Sequence, residues 1–120
     1  MGKLLVHVTH GTEAPTRAAL GLLVARTAIE QGHEVHVFLA GDAVVLARDA
    51  VLDSLSGLGT GSARESWDAI VSGGGQVYVS GMSSKARGVT DGDLAGKPAQ
   101  FVMPTRLVEL AFECDRVITY

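Results

Sequence analysis

The sequence predicts an α/β fold: a three-layer α/β/α sandwich around an open, mainly parallel sheet of about five strands. Three observations predict it. Short apolar runs alternate with segments of helical spacing along the whole chain, the order that right-handed βαβ crossovers produce. The apolar runs lack the simple alternation of half-wet strands, so they read as strands covered on both faces. Glycine or proline stands at most joints between the segments. The chain has 120 residues, which suits one domain over residues 1–120.

The elements follow in order. Leu4–Thr9 is apolar apart from His7 and ends at the His10-Gly11 turn, a buried strand. Pro15 suits the first turn of a helix, where a missing N–H costs no bond. Thr16 to Gln31 carries Ala18, Leu22, Ala25 and Ile29 at helical spacing, and Gly32 is a good stop. Leu20, Leu23 and Val24 widen that apolar face, which predicts packing on something besides the sheet, such as another subunit. Glu34–Ala40 is a second strand. Asp42 is placed to cap a helix over Ala43–Leu55. Gly57–Ser62 reads as a loop. Ser62 and Glu65 have capping-box spacing for a helix from Ala63 to Ser72. Gln76–Ser80 is a third strand, Gly81–Gly96 irregular turn structure with room for one short helix, and Ala99–Val102 a short fourth strand. Pro104–Glu113 has helical spacing with Leu107, Leu110 and Ala111 on one side, and Arg116–Tyr120 is a last strand.

Composition narrows the function classes. Apolar residues make up 47% and charged residues 19%, a globular balance, and with aromatics at 5% the core must be aliphatic. A net charge of −3 with no basic cluster argues against a nucleic-acid partner. The lone Cys114 excludes an intramolecular disulfide and a cysteine-rich zinc site. The opening apolar run is six residues long, too short for a signal segment or a membrane span, so no membrane association and a cytoplasmic location are expected. No cofactor is expected.

In an open parallel sheet, ligands sit beyond the carboxyl ends of the strands. The candidate loops are therefore His10–Ala14, Gly41–Asp42 and Ser80–Asp93. The glycines of Gly57–Ser62 fall between two helices with no lysine after them, so they do not form a phosphate loop. His7 and His36 could be neighbours on one sheet face, but two imidazoles are too few for a zinc site, and no metal is expected. Asp91 and Asp93 read as solvated turn carboxylates. Cys114 falls at the amino edge, as a small buried apolar group. His10 stands at a carboxyl end, where a base or ligand group could act, although a turn histidine with no assigned partner is more often structural.

The stretch from Ser80 to Val89 is the most informative. The strand ends at Ser80, and the backbone N–H groups over Gly81, Ser83 and Ser84 favour an anion or an anionic nucleophile. Arg87 could return over the site as a positive charge, and Gly88 permits a tight reversal. An ordinary strand and turn with a surface arginine fits the same spacing.

The chain resembles the DsrE/DsrF-like family of small intracellular sulfur-relay proteins. The likeness rests on Thr9-His10-Gly11 and Pro15, on Gln31-Gly32-His33-Glu34-Val35 leading into Phe38-Leu39-Ala40-Gly41-Asp42, on Gly75-Gln76-Val77-Tyr78-Val79, on Arg87-Gly88-Val89 and on Asp115–Tyr120. The resemblance implies an α/β/α sandwich assembled as a homo-oligomer, a trimer or hexamer, with a sulfur-relay partner protein. It also implies a cysteine at the end of the third strand that carries a persulfide. Ser80 occupies that position here. A hydroxyl forms no persulfide, and it needs a neighbouring base to attack anything.

The expectation is an oligomer subunit that keeps a small-ligand pocket around His10, Gly11, Gly81, Ser83, Ser84, Arg87 and Gly88 without persulfide chemistry. Two alternatives stand beside it: a hydrolase or transferase using Ser80 with His10 as base, and a purely structural or interaction subunit.

Overall fold

The computed structural model describes residues 1–120. Five strands form one all-parallel sheet: β1 (Lys3–Val8), β2 (Glu34–Leu39), β5 (Gln76–Ser80), β6 (Ala99–Val102) and β7 (Arg116–Thr119). Their order across the sheet is β6-β5-β2-β1-β7. The helices are α1 (Pro15–Glu30), α2 (Asp49–Ser54), α3 (Ala63–Ser72), α4 (Gly81–Arg87), α5 (Asp91–Leu94) and α6 (Pro104–Glu113). A two-stranded hairpin, β3 (Ser56–Gly57) with β4 (Gly61–Ser62), lies outside the main sheet.

Strand order explains why the two faces differ. From β1 the chain steps outward through β2 and β5 to β6, then crosses back over the whole sheet to β7. Crossovers of one hand that run in one direction put their helices on one face, and the return crossover puts its helix on the other. The first face carries a core of 23 buried residues, with Val6, Val8, Val37 and Leu39 of the sheet against Ala18, Leu22 and Ala25 of α1 and Trp67 and Ile70 of α3. The second face has α6 alone, over a cluster of five: Leu5, Phe38, Tyr78, Leu110 and Cys114. Much of the apolar surface on α6 and β7 stays open to solvent, Phe112 being 89% exposed and Val108 56%.

Three sequence expectations need correction. The helix expected over Ala43–Leu55 is two pieces. Residues Gly41–Ala47 wind as a 3₁₀ helix, Arg48 is extended, and α2 begins at Asp49. Asp42 caps nothing, because the cap position falls on Ala40, and its carboxylate is held by Arg87. Arg48 meanwhile donates to the carbonyl of Gly88 at 2.7 Å, which fastens the break to the far side of α4. The loop expected at Gly57–Ser62 contains the β3–β4 pair, whose backbone groups bond each other across the turn. The segment Gly81–Gly96 holds two short helices. Ser80 caps the first, and the Thr90 N–H donates to the Asp93 carboxylate at the start of the second. Helices of one or two turns carry too few residues for apolar periodicity to reveal them.

The wide apolar face of α1 finds part of its cover within the chain. α1 packs on α3 and on the hairpin, leaving Leu20, Leu23 and Val24 half-buried. No helix is long and apolar enough to cross a membrane.

Candidate functional site

The connections leaving β5 and β6 depart to opposite faces, α4 toward the first and α6 toward the second. In an open parallel sheet, that divergence opens a crevice beyond the carboxyl ends of the two strands. Ser80 and Val102 face each other across it as register partners. The crevice could not be located from sequence, because it depends on β5 lying beside β6.

Ser80 is 9% exposed, and its Oγ accepts the Ser83 N–H at 3.3 Å, the hydrogen bond of a helix cap. The Ser83 hydroxyl in turn accepts the Gly41 N–H at 2.9 Å, tying α4 to the end of β2. Two of the three serines expected at the site therefore serve the fold. Ser84 differs: it is 2% exposed and its Oγ has no hydrogen-bond partner. It lines a hollow of about 490 Å³ between α4, residues 88–91 and Phe101, where Gly81, Lys85 and Thr90 also reach the wall. A buried hydroxyl left unpaired costs about 1–3 kcal/mol.

Arg87 does not hang over Ser80 as a free charge. Its Nε and Nη2 donate to Asp42 Oδ1 at 3.1 and 2.9 Å, and its Nη1 donates to the Ser83 carbonyl. Any anion would compete with Asp42 for it. Gly88 ends α4 with a φ of 68°, a left-handed conformation that costs a side-chain-bearing residue strain. Gly11 is required by a close approach, since a Cβ there would run into the Asp42 carbonyl. Gly11 and Arg87 thus meet on either side of Asp42, while Gly81, Ser83, Ser84 and Gly88 come together on α4.

His10 stands apart from that group. It follows β1, and β2 lies between β1 and β5. Its Nδ1 is 2.7 Å from Glu13 Oε2, its Nε2 takes a 3.4 Å contact from Arg17, and Ser80 is not among its partners. Glu13 also accepts the Gly11 N–H. Burial pushes the Glu13 carboxyl up, but the hydrogen bonds from His10 and Gly11 outweigh it and hold the group below the usual glutamate value. A depressed carboxylate contributes stability above its unfolded pKa and loses it as pH falls through the folded one. A carbon-detected NMR titration should therefore find Glu13 titrating below an ordinary glutamate, and His10→Ala should move it back up. A Glu13 midpoint that ignores His10→Ala would contradict the contact.

Cys114 is 8% exposed at the opposite, amino edge, and burial raises its thiol above the ordinary value. His36 lies at Leu5 in the register and His7 at Phe38, so the two imidazoles share a face on the diagonal. His36 is committed to Tyr78 at 3.1 Å and Glu34 at 2.7 Å. No group of three or more His, Cys, Asp or Glu side chains is arranged to hold a metal ion. Met82 and Met103, 61% and 56% exposed, were not singled out from sequence. A Cβ on Gly81 would lie 3.9 Å from Met103 Sδ, which places Met103 at the crevice between β5 and β6. The legible signal was position alone: each methionine stands just past a strand's carboxyl end.

A family model described as the DsrE/DsrF-like family matches residues 2–120. Among solved structures, the chain is similar to the ychN protein from E. coli, with 15% identity, full coverage of both chains and a TM-score of 0.79. It is also similar to a conserved protein of unknown function, BT1422 from Bacteroides thetaiotaomicron, with 14% identity over 99% of this chain and 95% of that one and a TM-score of 0.68. At such identities the two structures speak for the fold. No curated protein matches the chain.

Proposed function

The chain belongs to the DsrE/DsrF-like family, and on that footing we propose that it is a non-catalytic member, an accessory oligomer subunit that binds a small ligand in place of carrying sulfur. The observation that carries this reading is the employment of Ser80. Its hydroxyl caps α4, its one hydrogen bond comes from a backbone N–H, and no base lies in contact with it. A serine in that state is neither a persulfide carrier nor an activated nucleophile. The only thiol, Cys114, is buried at the other edge. Lys85, which lines the hollow beside α4 and has no carboxylate partner, supports a polar or anionic small ligand there.

The apolar surface left open on α6 and β7 supports assembly into a homo-oligomer, a trimer or hexamer, and contact with a sulfur-relay partner. On this reading residues 1–120 are one DsrE-like unit working in the cytoplasm, where a lone reduced cysteine is at home.

Incubation with a persulfide donor, followed by mass spectrometry of the intact chain, tests the proposal. The expected result is no sulfur added at Ser80. Sulfur that is added to the wild type and persists after Cys114→Ser would sink it. The hydrolase reading, Ser80 with His10 as base, has weaker support, since His10 is bound to Glu13. It requires a serine-directed phosphonate to label Ser80. The purely structural reading shares the exposed α6 surface but not the hollow, and a stable monomer in sedimentation would count against both it and the oligomer.

A further inference from the structure

The return crossover has a second consequence, at the other edge of the sheet. α1 connects β1 to β2 and lies over them, so β7, on the far flank of β1, has no helix above its first face. Arg116 and Ile118 pair in register with Leu4 and Val6, and Val6 belongs to the first-face core, so both residues of β7 face that uncovered side. The outcome is a hollow of about 360 Å³ between the C-terminal half of α1 and the β1–β7 edge. Its volume falls within the roughly 300–1,000 Å³ of small-ligand sites.

The walls are apolar, with Leu4, Val24, Ala28 and Ile118 supplying the hydrocarbon. The mouth is polar and rich in donors. His33 accepts the Gly2 N–H on Nδ1 at 2.8 Å, which assigns its proton to Nε2, where no partner within the chain takes it. Arg116 donates from Nη1 to the Asp115 carbonyl at 2.7 Å and has no carboxylate partner, whereas Lys3 in the same lining is paired with Glu34. The one acidic residue at the mouth, Asp115, accepts the Lys3 N–H on Oδ2 at 2.8 Å. An apolar chamber with an unpaired guanidinium at its mouth is complementary to an apolar body bearing one carboxylate.

We propose that this hollow between α1 and the β1–β7 edge is a binding site for a small monocarboxylate with an aromatic or branched aliphatic body, separate from the crevice beyond β5. The occupant is a small molecule and not a second copy of the chain, because the chamber is the size of one small body and the guanidinium at its mouth has no carboxylate partner, while Asp115 beside it is turned to the Lys3 N–H. The site is at the amino edge and shares no residue with the hollow lined by Ser84.

Phenylacetate and its uncharged analogue phenylacetamide, titrated into the labelled full chain and followed by backbone NMR, test the proposal. Phenylacetate is expected to give saturable shifts at Leu4, Ala28, Arg116 and Ile118 at millimolar concentrations, with phenylacetamide binding more weakly. Arg116→Gln should weaken phenylacetate by about tenfold, the loss of one charge-assisted contact, and leave phenylacetamide unchanged. Val24→Phe should fill the chamber and abolish both; should that variant fail to fold, Arg116→Gln at the exposed mouth carries the test alone. The proposal is overturned by an absence of saturable shifts, by equal binding of the two probes, by indifference to Arg116→Gln, or by shifts at these residues that follow protein concentration without probe. The last result would make the groove a contact between copies. None of these outcomes bears on sulfur addition at Ser80, so the two readings fail separately.

Discussion

Moving the thiol, with Ser80→Cys in a Cys114→Ser background, is expected to turn a chain with one slow thiol into a chain with one fast thiol at the end of β5. An ordinary cysteine, with a pKa near 8.5, is only a few per cent thiolate at neutral pH, and each unit upward lowers that fraction about tenfold. Cys114 starts on the wrong side of that scale, since burial raises it. A thiol at position 80 would stand at the start of α4, where the Ser83 N–H now reaches the serine oxygen. An N–H directed at sulfur favours the thiolate. Iodoacetamide at pH 7 should therefore label Cys114→Ser/Ser80→Cys at least about tenfold faster than it labels Cys114 in the wild type. The same variant should gain a sulfur atom from a persulfide donor. The substitution weakens a helix cap, at a cost of about 1 kcal/mol, small enough for the fold to survive. Labelling no faster than that of Cys114 would mean that the crevice does not admit a reagent, and it would remove the reason for reading position 80 as a vacated thiol position.

Phe38→Ala should cost about 3–5 kcal/mol, a large share of the 5–15 kcal/mol that holds a domain of this size together. Phe38 is 2% exposed, and the cluster on the second face has only four other buried members. Its ring stacks on Tyr78 at 6.4 Å between centroids and meets His7 edge-on at 5.7 Å. Removing it leaves α6 with little to rest on. Phe112→Ala, on the outer side of α6, should change stability by no more than about 0.5 kcal/mol in the isolated chain. Urea denaturation reads both, as a shift in midpoint at unchanged slope. A Phe38→Ala loss below about 1 kcal/mol would mean that α6 is held by something other than this cluster.

Much of the fold was legible because the signals were local. Pro15 and Gly32 bracket α1, and the helix runs from Pro15 to Glu30. Ser62 does cap α3, accepting the Glu65 N–H at 3.3 Å. The strands at 34–39 and 76–80 fall within the apolar runs that predicted them. Asp42 shows where local reasoning stops. A carboxylate after glycine reads as a cap, yet here it answers Arg87, a residue 45 positions away. The same holds for Arg87, whose charge is free in sequence and committed in the fold.

The sequence by itself determined the alternation of strands and helices, the burial of the strands, the confinement of the only thiol to the amino edge and the serine at the end of β5. Each follows from residue type and spacing within a few turns of chain. The tertiary structure decided which strands are neighbours, and so where the crevice opens, why one face carries a single helix and why β7 overlooks an uncovered hollow. It also decided what the serines do: Ser80 and Ser83 spend their hydroxyls on backbone N–H groups, and Ser84 alone keeps a buried, unpaired one. A hydroxyl's role is set by the partner within about 3 Å of it, and for these residues that partner is known only once β2, β5 and α4 have packed together.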